Sequence, residues 1–352
     1  MRAIKSATLS TNRSRFRIKS VLALIAVLSA TPSFAVERLV VGMNTGGSVK
    51  VFDPTGSALT ITPFAVGFSG GVRVASGDIN GDGTADIIVG SGPGIVATVR
   101  VFDGATLLPI RELEPFGGQF SGGVYVAAGD INGDGRIDVI AGAGAANAPV
   151  VRVFDGRTNS DLAIFTAYDT SFQGGVYVAA GDVNGDGKAD IAVGPATGMA
   201  PLVRVFSGAN QTVLHEFFAF DPGFMGGVSV AAGDFNGDGK SDITAATGPS
   251  DNGSGPRVRV FNGNSAQVLA DFFAYTPSFT GGVFVAAGDI NGDGRDDIIT
   301  GSGVGGPPTV SRFLAPTGES GISFLAFDQG YSGGVFVANE VLPSTVFRNG
   351  FE

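Results

Sequence analysis

The chain of 352 residues contains no cysteine and no tryptophan, and it has one histidine, His215. The absence of cysteine excludes disulfide bonds, zinc–thiolate sites and a thiol nucleophile. A single histidine also excludes a multi-histidine metal site and does not favour histidine-based catalysis. Beyond the first 35 residues, no stretch is long and apolar enough to span a bilayer. Any loop that needs stabilising must therefore be held by packing, by hydrogen bonds or by an ion bound through oxygen atoms.

The first 35 residues have the composition of a secretory signal peptide. Six basic residues and no acid precede or flank the apolar run 21–28, which is followed by Ser33-Phe34-Ala35. This order predicts cleavage after Ala35 and a mature protein that is secreted or periplasmic. The alternative is an uncleaved membrane anchor, but an anchor needs about 17 to 25 apolar residues and residues 21–30 supply roughly half of that. We therefore expect no membrane span after cleavage.

The negative charge is concentrated in one repeated segment. The net charge is −10, and loss of the six basic leader residues lowers it to −16. Fifteen of the 32 acidic residues are the three aspartates in each of five copies of a loop that begins Asp-x-Asn-Gly-Asp-Gly. Acidic and basic residues nearly balance elsewhere, so the sequence pI of about 4.6 reflects local sites. The sequence predicts no nucleic-acid-binding surface.

The acidic loop recurs with a period that indicates repeated structural units. Its five copies begin at Asp78, Asp130, Asp182, Asp234 and Asp289. The spacings are 52, 52, 52 and 55 residues, a length typical of propellers, solenoids and arrays. Within one repeat, apolar residues alternate with other residues in 124–127, 137–140 and 151–154 and, less regularly, in 162–165, which predicts four short strands.

Other markers occur six times, once more than the acidic loop. A Gly-Gly-Val triplet begins at Gly70, Gly122, Gly174, Gly226, Gly281 and Gly333. Residues 39–42 match the second strand of a repeat and residues 333–338 match the first strand, so one unit is divided between the two ends. We predict an all-β, six-bladed propeller of four-stranded blades over residues 36–340. The N- and C-terminal strands pair to close it, and a short tail follows at 341–352.

These motifs resemble a known repeat family. Five of the six units read Phe-x-Gly-Gly-Val, then Asp-x-Asn-x-Asp-Gly-x-x-Asp, then a turn of small residues such as Gly92-Pro93-Gly94. This pattern is similar to the FG-GAP repeat, which is related to the VCBS repeats of secreted bacterial proteins and to the propeller of integrin α-subunits. The resemblance implies a calcium-binding propeller. The family's best-known propellers have seven blades, whereas this sequence has six units, and the Gly-Ala-Pro part of the motif is loose.

The acidic loops carry the ligands expected of a calcium site. Asp at positions 1, 5 and 9 and Asn at position 3 supply hard oxygen atoms, position 7 offers a backbone carbonyl, and the glycine at position 6 permits a sharp turn. We predict five Ca²⁺ sites. Their residues are Asp78, Asn80, Asp82, Thr84 and Asp86; Asp130, Asn132, Asp134, Arg136 and Asp138; Asp182, Asn184, Asp186, Lys188 and Asp190; Asp234, Asn236, Asp238, Lys240 and Asp242; and Asp289, Asn291, Asp293, Arg295 and Asp297.

Three alternatives to this site can be compared on the sequence. An EF-hand has a bidentate glutamate at position 12, but Val89, Ala141, Val193, Ala245 and Thr300 occupy it here. The Gly-Gly-x-Gly-x-Asp pattern of the calcium β-roll is absent. A plain Asx turn needs no ion, but three carboxylates this close would repel one another or acquire raised pKa values without a cation.

Two further features recur between the loops. An aromatic pair at i and i+4 precedes each Gly-Gly-Val, and we expect it to pack between blades and not to form a ring of sugar-binding sites. The pairs are Phe64 and Phe68, Phe116 and Phe120, Tyr168 and Phe172, Phe220 and Phe224, Tyr275 and Phe279, and Phe327 and Tyr331. A basic residue recurs in the third strand, and we interpret it as part of a solvated face. These residues are Lys50, Arg100, Arg152, Arg204 and Arg259.

Two functions of different classes are compatible with the sequence. The first is a non-catalytic, calcium-stabilised, monomeric adhesion propeller that binds a protein or glycan outside the cell. The second is a secreted hydrolase or lyase that acts on polysaccharide in a central pocket. Near-identical repeats dilute the unique residue cluster that an enzyme needs, so we favour the first. A partner site must differ from the corresponding segments of the other repeats, and the turns after the second strands are irregular in this way. The insertion at 248–257, "GPSDNGSGPR", is the best single candidate.

Overall fold

The computed structural model describes residues 38–53, 55–250 and 255–339. This part of the chain forms 24 strands in six four-stranded antiparallel sheets and contains no helix. The all-β, six-bladed prediction is therefore confirmed. The predicted signal peptide and the tail at 341–352 lie outside the described residues.

The six sheets are numbered here as blades 1 to 6, and strands are taken in order from the ring axis outwards. The first strands of blades 1 to 6 are β24 (Val335–Asn339), β4 (Val72–Gly77), β8 (Val124–Gly129), β12 (Val176–Gly181), β16 (Val228–Gly233) and β20 (Val283–Gly288). The second strands are β1 (Leu39–Met43), β5 (Asp86–Ser91), β9 (Asp138–Ala143), β13 (Asp190–Pro195), β17 (Asp242–Thr247) and β21 (Asp297–Ser302). The third strands are β2 (Val49–Phe52), β6 (Val99–Phe102), β10 (Val150–Phe154), β14 (Leu202–Phe206), β18 (Arg257–Phe261) and β22 (Thr309–Leu314). The fourth strands are β3 (Ala58–Ile61), β7 (Pro109–Leu113), β11 (Asp161–Thr166), β15 (Val213–Phe218), β19 (Val268–Phe273) and β23 (Glu319–Leu325).

Burial decreases from the axis to the rim of each blade. All six residues of β5 are buried, whereas three of the four residues of β3 are exposed. The inner strands are buried on both faces because the apolar clusters lie between adjacent blades: Val99 of blade 2 and Val124 of blade 3 belong to the same cluster. Period-two alternation is therefore clear in third and fourth strands and weak in the second strands, which read as continuous runs of Ile, Val and Ala.

The ring is closed by the two ends of the chain. Strand β24 pairs with β1 in an antiparallel register that sets Val337 opposite Val41. The first strands contact one another in an unbroken circle, and β24 lies between β20 and β4. Blade 1 is thus assembled from both ends, as the sequence predicts, and the pairing leaves no inner sheet edge exposed.

Backbone hydrogen bonds join neighbouring blades on one face of the ring. The turn between the second and third strands of each blade donates an N–H to a carbonyl in the link that leads into the next blade. The six bonds run from Gly46 to Ser69, Gly94 to Ser121, Ala146 to Gln173, Gly198 to Met225, Ser250 to Thr280 and Gly305 to Ser332, over 2.8–3.1 Å. We call this side of the ring the turn face. The acidic loops lie on the opposite side, the loop face.

The aromatic pairs pack between blades, as expected. Each pair meets edge to face, with centroids 5.9 Å apart for Tyr168 and Phe172. This pair lies in the link between blades 3 and 4, and the Arg204 guanidinium of blade 4 lies 5.3 Å from the Tyr168 ring. Arg204 also donates from Nη1 to the Ala167 carbonyl over 2.8 Å and pairs with Glu216 at 2.5 Å.

The interpretation of the third-strand bases as a solvated face is therefore wrong. The side chains of Arg100, Arg152, Arg204 and Arg259 are 24–34% exposed, and each donates to a carbonyl in the preceding link. Lys50 lies 5.1 Å from the Phe327 ring and makes the equivalent contact where the ring closes. An alternating pattern shows that a residue lies outside the core of its own sheet, but it does not show the neighbouring blade that covers the residue.

Closure can be tested by removing β24. A chain that ends at Gly330 loses the first strand of blade 1 and exposes the edges of β1 and of its neighbours, so we expect aggregation and a lower melting temperature. The matched control ends at Asn339 and keeps β24. Light scattering and thermal unfolding compare the two chains. A Gly330 variant that stays monomeric and melts with the control would contradict closure as the source of stability.

Candidate functional site

The five acidic loops occupy the same position in blades 2 to 6. Each begins one residue after the first strand, and its ninth residue is the first residue of the second strand, as with Asp86 in β5. The glycines at positions 4 and 6 have φ values of 76–79° and 82–87°, in the left-handed region that glycine adopts readily. These two glycines let each loop turn back on itself within nine residues.

The first aspartate shapes its loop by accepting backbone hydrogen bonds. Asp78 Oδ1 accepts from Gly81 and Asp82 over 2.6 and 3.1 Å, and Oδ2 accepts from Gly83 over 3.0 Å. The same three bonds recur at Asp130, Asp182, Asp234 and Asp289. Position 5 adds another such bond, from the Thr84 N–H to Asp82 Oδ1 at 2.8 Å. The loop conformation is thus specified by its own carboxylates.

The ninth aspartate anchors the loop to the rest of its blade. Asp86 is fully buried; Oδ2 accepts from the N–H groups of Ile79 and Asn80, and Oδ1 accepts from Gly104 over 2.9 Å. Gly104 lies in the turn between the third and fourth strands. The bond recurs in the other four blades, where Asp138, Asp190, Asp242 and Asp297 accept from the N–H groups of Gly156, Gly208, Gly263 and Ala315, respectively. Sequence reasoning treated these aspartates as ligands and missed the anchor, although the repeated glycine two residues after the third-strand phenylalanine was a signal for it.

Burial makes the charge of the ninth aspartate unfavourable in the folded loop. It raises the pKa of Asp138, Asp190, Asp242 and Asp297 to about 6, and that of Asp86 in the same direction. Backbone N–H donors oppose this rise, and repulsion from the other loop aspartates adds to it as a smaller cause. A cation facing these carboxylates would stabilise their ionised form.

The loop places two carboxylates around a common point. Asn80 Nδ2 lies 3.3 Å from Asp82 Oδ2 and 3.4 Å from Asp86 Oδ1, and Asn184 makes the equivalent contacts at 3.1 and 3.3 Å. In the described residues, no three His, Cys, Asp or Glu side chains are arranged to hold a metal ion. The Asn80 amide lies between the carboxylates of positions 5 and 9 and donates most closely to Asp103 Oδ2, over 2.9 Å. The donor set, which consists of oxygen atoms, fits a hard cation such as Ca²⁺, for which the amide nitrogen would have to move aside.

Basic residues at position 7 connect successive loops around the ring. The side chains of Arg136, Lys188, Lys240 and Arg295 lie against the fourth-position glycine of the preceding loop. A Cβ added to Gly133 would lie 3.2 Å from Lys188, and one added to Gly237 would lie 3.0 Å from Arg295 Nε. In blade 2, position 7 of the loop is Thr84. The preceding blade, blade 1, has no acidic loop in the sequence against which this residue could pack. Position 7 is therefore basic in each of the four loops that have an acidic loop in the preceding blade, and it is threonine in the one loop that does not.

The ring axis is almost filled by side chains. It holds a cavity of about 60 Å³ on which Arg73, Tyr125, Tyr177, Ser229, Phe284 and Phe336 converge. Binding sites for drug-sized ligands are commonly about 300–1,000 Å³. The central pocket required by the polysaccharide-enzyme hypothesis is not present at this size in the described residues. His215, in β15 opposite Val205, lies on an outer strand and away from this axis.

The comparisons with known proteins agree with this architecture. Residues 130–193 and 234–300 match the FG-GAP-like repeat, and residues 70–106 and 281–322 match the FG-GAP repeat. Integrin alpha-8 of Gallus gallus is 30% identical over 220 residues, which are 54% of this chain and 21% of that protein. The aligned segment thus spans about a fifth of the integrin.

Two solved structures align with this chain. Sqt1 of Saccharomyces cerevisiae aligns with a TM-score of 0.45 and 14% identity over 76% of this chain and 66% of its own. Rhamnogalacturonan lyase YesW aligns with a TM-score of 0.43 and 12% identity over 86% of this chain and 69% of its own. Neither is close enough to bear on activity. The repeat matches together cover more than half of the sequence, and the chain belongs to the FG-GAP repeat family.

Proposed function

We propose that this chain is an exported, calcium-stabilised, non-catalytic propeller that binds a protein or glycan partner through its turn face. The similarity to integrin alpha-8 and the predicted signal peptide support a binding role outside the cytoplasm. No helix in the described ranges is long and apolar enough to cross a membrane. One observation carries the binding proposal, and it concerns the exposed apolar residues at one side of the turn face.

Blades 4 to 6 end their fourth strands with large exposed apolar side chains. Phe218, Phe273 and Leu325 are 49%, 47% and 43% exposed, and Met225, in the link between blades 4 and 5, is 52% exposed. The equivalent residues of blades 1 to 3 are Ile61, Leu113 and Thr166, which are half-buried, buried and polar, respectively. Exposed aromatic and methionine side chains are enriched in protein interfaces. The ends of the fourth strands therefore differ between the two halves of the ring, as a site for a single partner requires. Val66, in the link between blades 1 and 2, is also fully exposed but is not part of this group.

The long turn at 248–257 lies beside these residues. Gly255 packs against the Phe273 ring, and the Ser250 N–H donates to the Thr280 carbonyl. Residues 251–254 of the predicted partner insertion lie outside the described residues. The insertion thus begins and ends at the apolar part of the turn face, which supports the choice of this turn as a contact.

Calcium is proposed for the five loops, with the residues named from the sequence as ligands and Thr84, Arg136, Lys188, Lys240 and Arg295 contributing backbone carbonyls. When bound, the ion would neutralise the carboxylates and hold both ends of the loop. At a Kd of about 10⁻⁴ M and roughly 1 mM calcium, each site would contribute about 1.4 kcal/mol to folding. Five such sites matter to a chain that has no disulfides.

Removal of calcium should destabilise the protein. If five independent sites each contribute about 1.4 kcal/mol, chelation should lower the melting temperature by roughly ten degrees or more. Calorimetry before and after chelation measures the shift, and metal analysis of the purified protein measures the stoichiometry. Magnesium at the same concentration is the control for non-specific ionic effects. An unchanged melting curve would contradict the calcium proposal.

Substitutions at positions 5 and 9 separate ion binding from anchoring. Asp138→Ala leaves the buried N–H groups of Ile131 and Gly156 without an acceptor, so it should cost about 2–4 kcal/mol even in metal-free protein. Asp134→Ala removes an exposed carboxylate that accepts one bond, from the Arg136 N–H, and lies 3.8 Å from Arg157 Nε, so it should cost less than about 1 kcal/mol without metal. With calcium, the cost of Asp134→Ala should rise by about 1–1.5 kcal/mol. Urea unfolding measures all four values, and an equal cost with and without calcium would exclude Asp134 as a ligand.

The turn face can be tested with matched exposed substitutions. Met225→Ser with Phe273→Ser should reduce binding to a glycan array and to surface extracts of the source cells at least tenfold, because it removes apolar contact area. Leu108→Ser with Ile164→Ser is the control, since these side chains are 64% and 59% exposed, Leu108 in the turn before β7 of blade 2 and Ile164 in β11 of blade 3. Equal loss of binding in both variants would contradict a site on the turn face.

A further inference from the structure

The axis of the ring contains one charged side chain among aromatic ones. The second residue of each first strand faces the axis, and these residues are Arg73, Tyr125, Tyr177, Ser229, Phe284 and Phe336. Arg73 is 9% exposed, and its guanidinium carbon lies 5.1 Å from the Tyr125 ring and 5.2 Å from the Phe336 ring. These two rings stabilise the cation through their π faces, but they do not use its N–H donors.

The hydrogen-bonding capacity of Arg73 is mostly unused. Nη1 donates to the Gly70 carbonyl over 3.1 Å, which is its one hydrogen bond to the described residues. Nε is buried and has no partner there. The six ion pairs found in the described ranges do not include Arg73. A buried guanidinium with free donors and no counter-charge is unfavourable unless a bound group satisfies it.

The cavity beside Arg73 is suited to a small anion. Its volume is about 60 Å³, and no acidic residue lines it. Ser229 Oγ already donates to the Val283 carbonyl over 2.8 Å, so Arg73 supplies the only cationic donors among the lining residues. Arg73 is the second residue of β4, at its turn-face end, and Tyr125 and Tyr177 are partly exposed, which places the entrance on the turn face.

We propose that this axial cavity binds a carboxylate group, with Arg73 as its receptor. The edge of the guanidinium formed by Nε and Nη2 carries two parallel N–H donors, which match the two oxygens of a carboxylate once the side chains that enclose Nε move aside. A planar carboxylate also fits among the aromatic side chains that flank the cavity, whereas a sugar or a peptide segment is too large. The carboxylate is either a small free acid or a side chain or C-terminus that a partner inserts from the turn face. This site rests on the axial geometry and does not require calcium or export.

The proton on Arg73 Nε gives a direct test. In the ¹⁵N-labelled full-length protein, titration with sodium acetate should move the Arg73 Nε–H resonance along a saturable curve, while sodium chloride at matched ionic strength should not. The affinity should lie in the millimolar range, as for a single charged contact. Arg73→Lys, followed in parallel with the parent by the backbone amide resonance of Tyr125 beside the cavity, should bind acetate at least tenfold more weakly because lysine lacks the paired donors. Arg157→Lys, at an exposed arginine away from the axis, should bind like the parent.

Peptides distinguish the two sources of the carboxylate. N-acetyl-diglycine with a free C-terminus carries the carboxylate on a chain, and its amide is the neutral control. Binding of the free-acid peptide at least as tightly as acetate indicates a partner's carboxylate, and binding of acetate alone indicates a small free acid. The proposal is overturned if the peptide amide binds equally well. It is also overturned if about 100 mM acetate or formate leaves the Arg73 resonance unmoved, and this arm needs no variant to fold.

Discussion

The pairing of β24 with β1 is the contact on which the other interactions depend. It completes blade 1 and lets each first strand lie between two others. The apolar clusters lie between blades and not within one sheet, so an open ring would leave its end blades with one apolar face in water. The turn-face hydrogen bonds, the aromatic pairs and the third-strand arginines all join one blade to the next and depend on the same closure.

The sequence predicted the fold well because the features that determine it are local and repeated. The period of 52, the alternation in 151–154 and the division of one unit between 39–42 and 333–338 were enough for blade number, strand number and closure. The neighbours of each side chain were not predictable in the same way. Arg204 and Arg136 occur in ordinary-looking polar positions, and their roles come from the adjacent blade, some 37 or more residues away.

The acidic loop shows the same division between local and distant information. Its ligand types and glycine positions follow from nine consecutive residues. The role of Asp86 as an anchor does not follow from these nine residues, because the N–H group that donates to it belongs to Gly104, 18 residues further along the chain. The axial Arg73 was also missed, since its position in β4 has no counterpart of the same charge in any other repeat. Unique residues inside a repeat are therefore the ones for which the structure adds most.

Completion of blade 1 by the last strand also sets an order of events during synthesis. Some 290 residues separate β1 from β24, and bringing such distant segments together costs about 5 kcal/mol of loop-closure entropy if nothing between them is ordered. Blades 2 to 6 are each continuous in sequence and can order first, which shortens the effective loop. A chain that emerges from its N-terminus can form those five blades as it appears, but it gains the stability of a closed ring only after β24 has emerged.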